Sequence, residues 1–159
     1  MPLKVGQKAP DFKLKDTKGN MWKFPLTTNT CLLVFYKVSC PTCQLTLPFV
    51  EKLYKAYGSK ITFLGIAQDT ESEVKDFLLK YKLSFPQLID APAYSVSLTY
   101  DIKVVPTLYL INAEGEIISV EESFVKSFME FLNEKLAHLC AIEPISLFEG
   151  ISVPSFKPG

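Results

Sequence analysis

The spacing of apolar positions changes in a regular order along this chain. Two short apolar pieces, Phe12–Leu14 and Met21–Phe24, lie among turn signals at Gly6, Pro10, Asp16–Asn20 and Pro25 and predict a hairpin. Cys31–Tyr36 is an unbroken apolar run, the pattern of a central strand buried on both faces. Ser39-Cys40-Pro41-Thr42-Cys43 then opens a helix reaching about Tyr57, with Leu45, Phe49, Leu53 and Tyr57 recurring every four residues and Gly58 as its stop. Ile61–Ala67 reads as a second buried strand. Thr70–Tyr81 reads as a helix whose capping box is Thr70 with Glu73 and whose apolar face is Val74, Phe77, Leu78 and Tyr81. Phe85–Ile89 is a short extended piece and Ala93–Tyr100 a short helix. Thr107–Ile111 and Glu116–Val120 form a hairpin about Asn112–Gly115. The last helix runs from Ser123 to about Leu139, with Phe124, Phe128, Phe131, Leu132, Leu136 and Leu139 expected inside. This alternation predicts an α/β layered fold, its first strands parallel and its last antiparallel.

The 159 residues suit one domain with a full-sized core. We divide them into a body, residues 1–139, and a tail, residues 140–159. The tail carries Pro144, Pro154 and Pro158 among Ile, Leu, Phe and Val. It is expected to be irregular and either packed on the body or used as a partner-binding segment or gate. There is no internal repeat, linker or glycine-rich phosphate loop.

Composition narrows the function. Hydrophobic residues make up 48% and charged residues 21%, the balance of an ordinary globular protein. Formal net charge is zero, without the basic excess of a nucleic-acid binder. All 17 basic residues are lysines, so no guanidinium fork is available for carboxylate or phosphate. No stretch suits a membrane span, and the first residues lack the apolar region of a signal peptide, so the expected location is cytoplasmic. Four cysteines are too few for a disulfide scaffold at this length. Cys31, Cys140 and His138 are too scattered to complete a zinc site with the close pair, so no metal or cofactor is assigned.

The chemistry lies in Cys40-Pro41-Thr42-Cys43. Thiolates, not thiols, attack disulfides. A helix start offers unpaired N–H groups and the positive end of the macrodipole, and Cys40 stands there. Pro41 suits the first helical position, where its missing N–H has no partner to lose. Cys43 lies one turn deeper. Residues three apart on a helix hold their Cβ atoms about 5–6 Å apart, and a disulfide wants about 3.5–4.5 Å. The gap closes because Cys40 is at the helix boundary. Cys40 is thus the attacking thiol and Cys43 the buried resolving thiol.

Phe35-Tyr36-Lys37-Val38-Ser39-Cys40-Pro41-Thr42-Cys43, with Leu47-Pro48 following, resembles the thioredoxin superfamily, in particular its TlpA-like reductases and the wider redoxin group. The resemblance runs from about Lys4 to about Leu139. It includes the opening Val5–Phe12 and the hairpin Asn112–Ile118. It implies a thioredoxin-like fold with a mixed central sheet flanked by helices and an N-terminal hairpin extension. It also implies a cis proline at Val105-Pro106, where a backbone edge beside the cysteines pairs with a substrate chain. Pro41 and Thr42 support the site. The implied partners are protein disulfides or dithiols and an electron donor. The sequence departs from the family in three places. Ser39 and Thr42 stand where many relatives carry Trp and Pro. Val34 stands at thioredoxin's buried acid. Thr46 replaces the acid that some TlpA-like reductases carry after the pair, which leaves Cys43 without an assigned proton acceptor.

Two other functions compete with disulfide exchange. Gly65–Asp69, Leu83–Asp90 and Cys40-Pro41-Thr42 resemble peroxiredoxin segments. A peroxidase, however, carries threonine where Lys37 stands and uses an arginine that this chain lacks. Alternatively, a soft cysteine pair in a non-enzymatic thiol module could hold copper(I). Lys37 and His138 are read as solvated, Cys31 as a small core residue and Cys140 as structural.

Overall fold

The computed structural model describes residues 2–25 and 29–159. The turn-rich stretch expected before the first core strand therefore falls partly, at residues 26–28, outside the described residues. Phe12–Lys15 (β1) and Met21–Phe24 (β2) pair as the antiparallel hairpin. Asp16 closes its turn, accepting the Lys18 and Asn20 N–H groups and the Trp22 indole N–H. Then follow Cys31–Tyr36 (β3), Pro41–Tyr57 (α1), Thr62–Ala67 (β4), Glu71–Tyr81 (α2), Gln87–Ile89 (β5) and Ser95–Thr99 (α3). Thr107–Ile111 (β6), Ile117–Glu122 (β7), Phe124–Val125 (β8), Lys126–Cys140 (α4) and Phe156–Lys157 (β9) complete the chain.

The main sheet has the order β5-β4-β3-β6-β7. β3, β4 and β5 run parallel, while β6 and β7 return antiparallel. All six residues of β3 are buried because side chains alternate between two covered faces. Leu32, Val34 and Tyr36 meet Leu47, Val50, Leu53 and Tyr57 of α1, Val74 and Phe77 of α2, and Leu132 and Leu136 of α4. Leu33 and Phe35 face Phe12 and Phe24 of the hairpin, and Val96 and Tyr100 around α3. Each such buried aliphatic or phenyl group contributes about 1.5–3 kcal/mol relative to exposure. The architecture is the expected α/β thioredoxin-like one, with a mixed sheet, flanking helices and an N-terminal hairpin.

One local expectation holds for a different reason, and two need correction. Gly58 stops α1 as expected, but not in a left-handed conformation; its φ is −66°. Its amide donates to the Tyr54 carbonyl at 2.7 Å, and a Cβ there would lie 2.5 Å from the same oxygen, so close approach requires the glycine. The last helix does not begin at Ser123, which takes a positive φ of 72°. Phe124–Val125 is a strand, and α4 starts at Lys126. The inner face of α4 is also different: Met129, Leu132, Asn133, Leu136, Ala137 and Cys140 are buried, while Phe131 and Leu139 are exposed. The expected set spread over more than one helical face, and the large residues misplaced the centre of the stripe.

The tail folds back along the body. Leu147 is buried, and Phe148 packs against Phe49 and Phe124 at ring distances of 4.8 and 6.3 Å. Further on, β9 pairs antiparallel with β8.

Candidate active site

β3 ends at Tyr36, and a short turn delivers Cys40 to the cap of α1 with φ −82° and ψ 117°. Pro41 fills the first helical position as expected. The turn is braced at both ends. Val38 N–H donates to the Asp69 carboxylate at 2.8 Å, and the Gln44 side-chain amide donates to the Val38 carbonyl at 2.9 Å. The Cys40 sulfur accepts the Cys43 N–H at 3.2 Å, so one orphan donor of the helix start points at it. Cys40 is half-buried and Cys43 fully buried, and both are free thiols. The difference in burial is the one expected for the pair, with Cys40 the more accessible thiol and Cys43 the enclosed one.

Val105, 65 residues away from Cys40 in sequence, reaches the same place together with Pro106. The Cys40 thiol points at the Val105 carbonyl oxygen, 3.5 Å away, and the Val105–Pro106 peptide bond is cis. Pro106 accepts the Ser123 N–H at 2.8 Å, which links the loop to the start of β8. Thr42 is buried, and its hydroxyl donates to the Pro158 carbonyl. Pro41 and Lys37 are exposed. Cys31 and Cys140 are buried away from the pair, and the Cys140 thiol points at the Tyr57 carbonyl, 3.9 Å away.

Burial pushes the Cys43 thiol far above the ordinary cysteine range. The Lys37 backbone N–H opposes this, while Cys40 and the charge of Asp69 add to it. Cys43 therefore needs a base before it can act. Thr46 supplies none, since its hydroxyl is committed to the Thr42 carbonyl at 2.7 Å. Asp69, just past the end of β4, is a group that sequence reasoning passed over. Its carboxyl is pushed up by burial and by Glu73, and held down by the Val38 N–H and Lys37. Tyr36 belongs to the same surroundings. Its hydroxyl is buried without a hydrogen-bond partner among the described residues, and burial, Asp69 and Cys43 all raise its pKa. The available signal was positional: ligand-facing groups of a parallel sheet gather beyond the carboxyl ends of its strands.

This geometry suits attack on a disulfide by Cys40, followed by internal resolution. The AhpC/TSA family model matches residues 5–120. The chain belongs to the AhpC/TSA family. Within the thioredoxin superfamily it is similar to thiol-disulfide oxidoreductase ResA of Halalkalibacterium halodurans, at 34% identity, covering 81% of this chain and 77% of the relative. It is 32% identical to thioredoxin-like protein YneN of Bacillus subtilis over 72% of this chain and 69% of that one. Among solved structures, a candidate thiol:disulfide interchange protein DsbE from Chlorobium tepidum superposes with a TM-score of 0.77 at 25% identity, covering 89% of this chain and 99% of the other. This AhpC/TSA member is a thiol–disulfide oxidoreductase of TlpA-like type, and its motif provides the Cys40–Cys43 pair.

Proposed function

We propose that the protein reduces disulfides in protein substrates. The Cys40 thiolate attacks one sulfur of a substrate disulfide; the S–S bond breaks, and the other sulfur leaves as a thiolate that takes up a proton. Cys43, once deprotonated, attacks Cys40 in the mixed disulfide. The substrate leaves as a dithiol, and Cys40–Cys43 becomes the disulfide. A dithiol donor then returns the pair to its reduced form. The observation that carries this reading is the half-buried Cys40 sulfur, lying 3.5 Å from the Val105 carbonyl with Cys43 sealed behind it. Substrate backbone docks along Val105–Pro106 as an added strand.

The reductive direction rests on the groups that surround the Cys40 sulfur. The Cys43 N–H meets the Cys40 sulfur, but the nearest lysine in sequence, Lys37, is exposed. Oxidants of the DsbA type owe potentials near about −120 mV to a stabilised reduced form, against about −270 mV for thioredoxin. The expected potential lies toward the thioredoxin value.

Insulin reduction by wild type, Cys40→Ser and Cys43→Ser tests the reaction. Cys40→Ser is expected to be inactive, and Cys43→Ser to accumulate a mixed disulfide with substrate. Equal turnover in all three proteins sinks the proposal.

A further inference from the structure

The last residues of the tail lie on the active site itself. After Phe148 the chain crosses the surface and pairs with β8, with Lys157 opposite Phe124 and Phe156 opposite Val125. Lys126 N–H donates to the Ser155 carbonyl at 3.0 Å. Beyond the strand, the Pro158 carbonyl accepts the Thr42 hydroxyl, from within the Cys40–Cys43 motif. Gly159 N–H donates to the Ser123 hydroxyl at 3.0 Å. Ser123 in turn donates its own N–H to Pro106. A Cβ on Gly159 would lie 2.1 Å from the Val105 carbonyl oxygen and 2.5 Å from Val104 Cγ1. The segment thus touches Thr42, Val105 and the partner of Pro106, which together border Cys40.

We propose that this edge is a binding site for an extended peptide, that residues 155–159 are its resident occupant, and that substrate polypeptide competes with them for it. The proposal rests on the reading of Val105–Pro106 as the substrate edge. The contacts have the character of peptide recognition: backbone pairing to a short strand, one hydroxyl donor for a carbonyl and one hydroxyl acceptor for an amide. The attachment is also weak enough to exchange. β9 has only two residues, and Phe156 is 55% exposed, so release costs little apolar burial. The upstream anchors, Leu147 and Phe148, stay in the core while the distal segment lifts.

Gly159→Val tests this in the full chain, because a side chain there meets the Val105 carbonyl and prevents seating while leaving the body untouched. Three measurements compare it with wild type. They are labelling of Cys40 by a maleimide-capped pentapeptide, hydrogen exchange at the Lys126 amide, and KM for insulin reduction. The expected result is faster labelling, faster exchange at Lys126 and a lower KM. An occupant seated nine-tenths of the time imposes about a tenfold penalty on apparent affinity, and the variant removes it. A synthetic peptide of residues 153–159 should slow labelling of the variant more than that of wild type. Equal labelling and equal Lys126 exchange in the two proteins overturn the proposal. If neither protein reduces insulin, the proposed function fails, and labelling with exchange still decides whether the tail closes the edge.

Discussion

The Asp69 carboxylate accepts the Val38 amide N–H at 2.8 Å, so the residue that ends the β4 connection also holds the turn that presents Cys40. Its charge reaches the buried Cys43, which lacks any other assigned base. Asp69→Asn keeps an acceptor for Val38 and removes the charge. A general base is worth at least about 100-fold, so resolution of the mixed disulfide in the variant is expected to slow by about that factor. The pH dependence has a definite sign. Burial raises the Asp69 carboxyl above its ordinary value, and only the ionised form accepts a proton. Resolution in wild type should therefore fall as pH drops through that raised value, and the variant should lose this limb. The same shift acts on stability. The folded state binds the proton more tightly, so wild-type stability declines as pH rises from about 3.9 through the folded value, a decline absent in Asp69→Asn. Rapid-mixing kinetics and denaturant unfolding across pH measure both. An unchanged resolution rate removes Asp69 from the proton path.

Glu51 lies on α1, buried, and caps a loop of another element. Its carboxylate accepts the Ser84 N–H at 2.8 Å, the Phe85 N–H at 3.2 Å and the Ser84 hydroxyl. These bonds fix the chain entering β5. Glu51→Ala strands two backbone donors, each costing about 1–3 kcal/mol, so a loss of about 2–6 kcal/mol is expected by urea denaturation. Glu51→Gln, which retains one acceptor, should lose less. Equal stability of Glu51→Ala and wild type would show that water replaces the carboxylate.

Much of this was legible because local signals agreed with the fold. The unbroken run Cys31–Tyr36 demanded a strand covered on both faces, and Pro41 after Cys40 fixed where α1 begins. Thr70 with Glu73 marked the start of α2, and both halves of that capping box form. What the sequence hid depends on distant pairing. β8 and β9 are two residues each, too short for any period to register, and their partnership spans the whole of α4. The inner face of α4 differs because Asn133, a polar residue that announces no core position, is buried there, and because the helix runs on to include Cys140. Asp69 lies 26 residues beyond Cys43 in sequence; only the parallel pairing of β3 with β4 brings it beside Val38.

Gly65 on β4 faces the side chain of Gln87, its register partner on β5. A Cβ at residue 65 would sit 1.8 Å from Gln87 Oε1 and 2.7 Å from its Cδ. Gln87 is buried and its amide N–H donates to the Phe85 carbonyl at 2.9 Å, so it has little freedom to move aside. Gly65→Ala is expected to destabilise by about 1–3 kcal/mol through overpacking. The double variant Gly65→Ala with Gln87→Ala should recover part of that loss. Absence of any recovery in a double-mutant cycle would place the strain elsewhere.

Tyr57, Asn133 and Ile145 close a ring of hydrogen bonds that fastens the start of the tail. The Tyr57 hydroxyl donates to the Asn133 side-chain oxygen at 2.5 Å, and the Asn133 amide donates to the Ile145 carbonyl at 2.6 Å. Ile145 N–H returns to the Tyr57 hydroxyl at 3.1 Å. Asn133→Leu fills the same space without either bond. It leaves the Tyr57 hydroxyl without its acceptor and the Ile145 carbonyl without its donor, at about 1–3 kcal/mol for each buried group. The expected result is a lower denaturation midpoint, with faster amide exchange from Ile145 through Phe148. The effect at the distal end separates two arrangements of the tail. If residues 145–148 and 155–159 dock independently, exchange at Lys126 stays at its wild-type rate in Asn133→Leu. If they dock as one unit, Lys126 loses protection together with Ile145. Independence is the expected outcome, because Leu147 and Phe148 remain in apolar contact with Phe49 and Phe124 after the ring is broken.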